Sequence, residues 1–470
     1  MSLFEWLIFF LCYNLIISGG TQKLFMIAGI SSWKSIIPIY NIIKILELIN
    51  RPKWWIILVF IPVINLIMIP VILVEFVKKF NHNSKLDRTL VIITFGLYLY
   101  YISYISKKTK YIDEISFSNF EKSIGSIVFA VVIATIVHNY FLQPFVIPTG
   151  SLEKTLRVGD FLLVSKFHYG ARIPSTVISF PMVHDTIPII KTRSYLKKPQ
   201  LPYIRIPGFQ EIKNNDIVVF NWPADTVRQF FVKEKGVIKP RDKKSNYVKR
   251  AIGIPGDSLE IRNGIVYLNG KENVLPDRAK PLYTYKIYSK NGVSSSKLKE
   301  LDIEGFIRKF IVRNLSQESY SRLKEYILSI SNTDENEYLI YTSDQGIPIK
   351  QVRELNLDIR EIIDNEKELS LTYSDANKIK ISNEFDTISR VVEKTSFSNS
   401  IFFPGNNRFN WNNDQLGPIY IPKAGDKINL TINELPLYKK IIRDYENNSI
   451  EVVDDNIYIN NEVSNEYTFK

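Results

Sequence analysis

Four apolar stretches fall within the first 142 residues: Leu3 to Ile17, Trp54 to Val74, Leu90 to Ile105, and Ile124 to Leu142. Two of them approach the roughly 20 residues that a bilayer-crossing helix needs, and two are shorter. Runs of this kind need lipid or a deep core around them, so they predict a membrane part made of helices. Residues 1–122 read as a multi-span region with spans near 3–17, 54–74 and 90–105, and residues 123–142 as a last transmembrane anchor. The first stretch has no Lys or Arg ahead of it and carries Glu5, so it reads as a retained span rather than a cleaved leader. Trp33 to Asn50 mixes Lys34, Lys44 and Glu47 with Ile and Leu, the pattern of a helix lying at an interface.

Loop charge predicts the orientation, because loops rich in Lys and Arg stay cytoplasmic. Residues 21–54 and 106–123, on one side of a four-span arrangement, hold nine Lys and Arg residues against four in residues 76–88. Everything after Leu142 is then extracytoplasmic. The net charge of +12 belongs to lysines scattered through polar stretches, without an Arg-rich helix or a phosphate-cradling glycine loop, and no nucleic-acid partner is expected. Cys12 is the one cysteine, so packing alone must hold the polar part together. Histidines 82, 138, 168 and 184 lack metal-ligand spacing, and neither metal nor cofactor is expected.

Beyond the last apolar run the period changes to that of strands. Phe161 to Val164 and Ile217 to Phe220 each follow a turn signal, and Ile265 to Leu268 lies between Asn263-Gly264 and Asn269-Gly270. Residues 143–269 and 401–470 read as a β core, with further strands at Ile419 to Ile421, Lys427 to Ile432, Asn447 to Val453 and Asp455 to Asn460. Residues 270–400 are richer in Lys, Glu, Ser and Asn, with a helical stretch expected at Ile303 to Ile330. They read as an inserted α+β lobe remote from the chemistry.

Two residues carry a candidate chemistry. Ser151 stands in Pro148-Thr149-Gly150-Ser151, just past the last apolar run, and Lys249 stands in an apolar strand pattern, Tyr247 to Ile254. A serine nucleophile needs a base, and a lysine can serve once burial disfavours its charged form. In a strand, Lys249 points to the face opposite Val248 and Arg250, and an inward, largely buried amine is the expectation. On spacing alone the bland reading competes: a serine after glycine is most often a turn residue, and a Lys-Arg pair is most often solvated.

The ordered series P-T-G-S-L-E-K-T-L-R-V-G-D-F-L-L-V-S-K, N-D-I-V-V-F and Y-V-K-R-A-I-G-I-P-G-D resembles bacterial type I signal peptidases over about residues 123–268. The later W-N-N-D-Q-L-G-P-I-Y-I-P, Trp411 to Pro422, is similar to the long form found in Bacteroidetes. The resemblance implies a mainly-β Ser-Lys protease domain behind transmembrane helices. It implies Ser151 as nucleophile, Lys249 as general base, and an oxyanion hole from Thr149 and the Ser151 N–H. Phe145, Ile147, Pro148 and Leu152 would line the substrate pockets, with Leu152 where the family usually has Met, and Arg250, Gly256 and Asp257 would support the site. Signal-peptide-bearing preproteins cleaved after A-x-A-like sites are the implied substrates. The lipid bilayer and the export translocon are the implied partners, and the periplasmic side of the bacterial inner membrane the implied location. One family motif, G-D-N-R followed by S-x-D-S-R, has no counterpart. Gly405-Asn406-Asn407-Arg408 is the nearest run and lacks the sequel, so the chain is expected to be C-terminally incomplete and its activity weak. The second reading is accordingly a catalytically weakened or inactive truncated homologue that binds signal peptides or partners without cutting.

Overall fold

Ser2 starts the first helix. Its hydroxyl accepts the Glu5 N–H, and the Glu5 carboxylate accepts the Ser2 N–H, a capping box opening α1 (Leu3–Ile27). The computed structural model describes residues 2–223, 238–334, 336–394, 402–406 and 408–470. They form two compact units, Met1–Ser151 with Val158–Arg250, and Leu152–Arg157 with Ala251–Lys470.

In the first unit, α1 runs ten residues past the expected end at Ile17, because its polar segment satisfies itself. The Ser18 hydroxyl donates to the Leu15 carbonyl, and Thr21 donates to those of Ile17 and Ser18. Gly20 leaves room for a neighbour: a Cβ there would stand 3.1 Å from Leu99 Cβ. The next helices are α2 (Tyr40–Leu48), α3 (Trp55–Phe60), α4 (Asn65–Lys78), α5 (Lys85–Ile93) and α6 (Tyr98–Tyr100), which continues as a π-turn to Ile105. The expected spans at 54–74 and 90–105 are therefore interrupted helices. Pro62 drives Ile61 out of the helical region to ψ 120°, and Val63 follows at φ 71°. Phe95 and Gly96, at φ 48° and 90°, stop the second run. Leu24, Phe25, Leu46, Phe76, Phe80, Leu99 and Ile102 form the fully buried centre of this bundle.

The helix α7 (Asn119–Ile136) continues as a π-turn, Val137–Phe141. Among the described residues, α1 and this extended helix are the two long and apolar enough to cross a membrane. The chain then enters β1 (Leu142–Val146), paired antiparallel with β2 (Phe161–Ser165) from Leu142↔Ser165 to Val146↔Phe161. A second two-stranded ribbon joins β3 (Asp216–Asn221) to β4 (Asn246–Ala251).

In the second unit, β5 (Ser258–Arg262), β6 (Ile265–Leu268) and β7 (Lys271–Glu272) form a meander. Asn263 and Gly264, at φ 50° and 71°, make the tight turn between β5 and β6. The sequence boundary expected at 269/270 thus falls inside a hairpin. Beyond it come β8 (Tyr283–Tyr288), α8 (Ser295–Glu300), β9 (Arg308–Arg313), α9 (Gln317–Leu323), β10 (Ile327–Asp334) and β11 (Glu337–Thr342). They are followed by α10 (Ile349–Glu354), β12 (Asp358–Ile362), β13 (Glu366–Leu371), α11 (Tyr373–Ser382) and β14 (Thr387–Arg390). Two antiparallel sheets result, β10-β11-β9-β12 and β13-β8-β14. Ile303 to Ile330, expected to be helical, is instead strand, short helix and strand. Phe310 and Val312 are buried at strand spacing, Asn314 turns at φ 51°, and Ser316 caps α9 through the Ser319 N–H. Finally β15 (Leu416–Tyr420) returns to pair with β5, Leu416 opposite Ile261. The C-terminal elements are β16 (Lys427–Asn429), α12 (Leu435–Lys440), β17 (Ile450–Val453), β18 (Asn456–Ile459), β19 (Glu462–Val463) and β20 (Glu466–Thr468). They enclose a core of Leu430, Leu435, Ile442, Ile457 and Phe469.

Candidate active site

Backbone pairing carries β1 beyond its last strand residue. The Ile147 N–H donates to the Asp160 carbonyl at 3.0 Å, and the Gly159 N–H donates back to the Ile147 carbonyl at 2.9 Å. Pro148 has no N–H to continue the ladder. The chain leaves the sheet there and closes a single 3-10 turn, Gly150–Leu152, with Ser151 at its exposed middle. Between β1 and the serine, sequence spacing fixes the facing. Phe145 and Ile147 share one side of the strand and Pro148 lies on the other. Ile147 is buried, only 3% exposed. Thr149 is exposed, two residues before Ser151, and Leu152 is half-buried.

Ninety-eight residues further on, β4 delivers Lys249, and its ammonium donates a hydrogen bond to the Ser151 hydroxyl oxygen. The two expected partners are thus joined. The expectation of a largely buried amine is not met: Lys249 is half-buried. The cause is the ribbon. Among the described residues β3 and β4 pair only with each other, so Lys249 stands on a two-stranded ribbon and not inside a larger sheet. The ribbon does carry an aromatic floor which the sequence reading missed. Tyr247 stacks on Trp222 at 4.9 Å between ring centroids, Phe220 lies tilted at 6.4 Å, and the Lys249 ammonium stands 6.0 Å from the Tyr247 ring. The i, i+2 spacing of Phe220 and Trp222 and of Tyr247 and Lys249 was the available signal. No histidine takes the place of the lysine: His168 is stacked on Phe167 and bonded to the Ser165 hydroxyl.

The supporting residues divide between the units. Arg250, next to the lysine, donates to the Asn215 carbonyl at 2.8 Å and so ties β4 to the turn entering β3. In the second unit, Gly256 (φ 99°) and Asp257 shape the turn before β5. The Gly256 N–H donates to the Ile421 carbonyl. The Asp257 carboxylate accepts the Ile254 N–H at 3.0 Å and the Asn269 amide at 2.9 Å. A Cβ at position 256 would collide with the Lys423 side chain. In the Gly405-to-Arg408 run, Asn407 lies outside the described residues, and Arg408 reaches the Ile432 carbonyl and the Asn433 side chain at 3.4 Å.

A hydroxyl held by an amine, on ribbons behind an apolar helix, places a nucleophile type and a base type side by side. Parts of the chain are similar to known proteins. Residues 120–309 match the family described as signal peptidase, peptidase S26. Residues 33–114 match a separate family of unknown function, DUF5684. Signal peptidase I of Rickettsia massiliae (strain Mtu5) is 30% identical over 148 residues, 32% of this chain and 42% of that protein. The Rickettsia felis (strain ATCC VR-1525 / URRWXCal2) protein of the same name is 29% identical over the same span and shares. That of Rickettsia canadensis (strain McKiel) is 30% identical over 147 residues, 31% of this chain and 42% of that one. The chain therefore spans less than half the length of the curated relatives it matches. No solved structure matches it. The similarity to signal peptidases thus lies in the part of the chain that carries Ser151 and Lys249, residues 120–309.

Proposed function

We propose that this protein is a membrane-bound serine endopeptidase that removes signal peptides from exported preproteins through a Ser151–Lys249 dyad. The observation that carries the reading is the hydrogen bond between these two side chains, which lie far apart in sequence and on different ribbons. In the neutral form of Lys249 the hydroxyl would donate to the amine. Lys249 would then take the Ser151 proton as Oγ bonds to the scissile carbonyl carbon. The oxyanion would be met by the Ser151 N–H and the Thr149 hydroxyl, a donor of this kind being worth about 3 kcal/mol. Lys249 would pass its proton to the leaving amine, and the ester would be cleared by a water that the same amine deprotonates.

Two features support the reading. Among the described residues β1 has a partner only on its β2 side, so its other edge can receive an extended substrate as an added strand. Phe220, Trp222 and Tyr247 give the amine an apolar floor, and a substrate strand laid over the pair would exclude water from its other side. Loss of water favours the uncharged amine that the reaction needs.

In this reading residues 3–27 and 119–141 anchor the chain, with the interrupted helices between them completing a multi-pass membrane part. The ribbons face the periplasm, beside the export translocon. Residues 143–269 and 401–470 are the catalytic β core, and 270–400 an inserted α+β lobe. The test uses the purified chain in detergent with a preprotein bearing an A-x-A site. Cleavage at that site by the wild type and none by Ser151→Ala is expected. Equal cleavage by both would sink the dyad.

A further inference from the structure

The first unit contains a second polar site, away from the dyad. A cavity of about 100 Å3 opens among Lys166, Arg172, Asn221, Asp242 and Lys243, with His138 and Asn139 at one wall. Its charges do not balance. Lys243 is 8% exposed, and its ammonium donates to the Ser179 hydroxyl at 2.7 Å and the Val183 carbonyl at 3.4 Å. The half-buried Arg172 donates to the Asn221 side chain at 2.6 Å. Among the described residues, the half-buried Lys166 ammonium has neither a hydrogen-bond partner nor a carboxylate within ion-pair distance. Among the described residues Asp242 is the one carboxylate on the wall, and it is already occupied. It accepts the Ser175 hydroxyl at 2.8 Å, the Thr176 N–H at 3.1 Å and the Thr176 hydroxyl at 2.7 Å.

The surroundings do not restore neutrality. Arg205 and Arg241 repel Arg172, while Asp242 attracts both Arg172 and Lys243 and Asp185 also acts on Lys243. The π-turn Val137–Phe141 ends at the cavity, and a helix end contributes roughly half a negative charge. Imidazoles add little charge above pH 7. Lys166, Arg172 and Lys243, with Arg205 and Arg241 near them, outnumber Asp242, Asp185 and that half charge, leaving an excess above one positive charge. Burying an uncompensated cation costs several kcal/mol. Burial lowers Lys166 to about 8, with Arg172 adding to the effect, which still leaves it protonated at neutral pH.

We propose that this cavity is a binding site for a phosphate group, supplied either as free phosphate or by the headgroup of an anionic phospholipid. The volume suffices for one tetrahedral oxyanion, since a single water needs only about 10–15 Å3 of the same measure. Arg172 offers a planar fork and the two lysines offer point charges, the combination that phosphate oxygens accept. The lipid source is within reach because His138 and Asn139 lie at the end of the helix that is apolar enough to cross a bilayer.

The test uses the full chain in phosphatidylcholine nanodiscs. One arm titrates inorganic phosphate, and the other, in phosphate-free buffer, replaces part of the lipid with phosphatidylglycerol. Binding and the thermal midpoint are followed in both. Saturable one-to-one binding that raises the midpoint is expected. A response to phosphate alone identifies a soluble ligand, and a response to phosphatidylglycerol alone identifies a headgroup. Lys166→Met and Arg172→Gln should each weaken binding about tenfold or more, as loss of a charge-assisted hydrogen bond does. Asp242→Asn, which removes the competing anion, should tighten it severalfold, a change of opposite sign that unfolding cannot imitate. No saturable binding by the wild type in either arm, or binding unaltered in Lys166→Met and Arg172→Gln, would overturn the proposal.

Discussion

Lys249 and Lys166 lie in the same unit, beyond the same apolar helix, and their surroundings are opposite. Lys249 is half-buried on a two-stranded ribbon, bonded to one hydroxyl, with an aromatic ring beside it. Lys166 lines a polar cavity with two other cations and has no hydroxyl or carboxylate of its own among the described residues. An amine that must shed its proton during a reaction needs an acceptor chemistry beside it and water that a substrate can displace. An amine that must stay charged needs a counter-ion. The first surroundings suit a base, and the second suit an anion site. The same residue type is set to two tasks by what lies within a few ångströms of it.

The sharpest way to break that contrast is on the dyad side. Ser151→Ala should lower preprotein cleavage by about 10^4-fold or more, with the far-ultraviolet circular dichroism unchanged, because no other group can supply the attacking oxygen. Lys249→Arg comes next. It keeps length and charge but cannot give up its proton, so a loss on the order of 10^3-fold is expected, and full activity would remove Lys249 from the role of base. Thr149→Val tests the oxyanion contact. A fall in kcat of about 10^2-fold with little change in KM is expected, whereas a change confined to KM would make Thr149 a binding residue only.

Legibility in the sequence follows the range of the interaction. Ser151 and Lys249 were readable because short motifs of fixed order carry them, and β2, β3 and β6 because turn residues bracket them. Asn269-Gly270 adopts the positive φ values, 52° and 78°, that such a pair signals. Hydropathy read in windows concealed the interruptions at Pro62 and at Phe95-Gly96, since apolar content says nothing of backbone angle. Ile303 to Ile330 was misread because its polar residues hid the alternation of Phe310 and Val312. The half-buried state of Lys249 depends on which strands cover β4, a question of tertiary order that no local pattern answers. The cationic cavity was invisible for the same reason. Lys166, Arg172 and Lys243 come from separate segments and share no period.

The smallest expected effect tests the other side of the contrast, and it is a matter of pH. Burial lowers Lys166 from the ordinary lysine value to about 8. Between that value and the ordinary one of about 10.4, the unfolded chain holds a proton that the folded chain has released. Stability therefore rises with pH across this window, and the full cost of the buried charge is present below about pH 8. Lys166→Met removes that cost. In anion-free buffer at pH 7 the variant should be more stable than the wild type, on the order of 1–2 kcal/mol. The advantage should close between about pH 8 and 10.4. Saturating phosphate or anionic lipid at pH 7 should reverse the order, because only the wild type then gains the full binding free energy by linkage. Thermal midpoints of both proteins at several pH values, with and without the anion, decide it. Parallel curves across the whole range, or a variant less stable at pH 7 without anion, would mean that Lys166 is an ordinary solvated lysine and that the two surroundings do not differ as described.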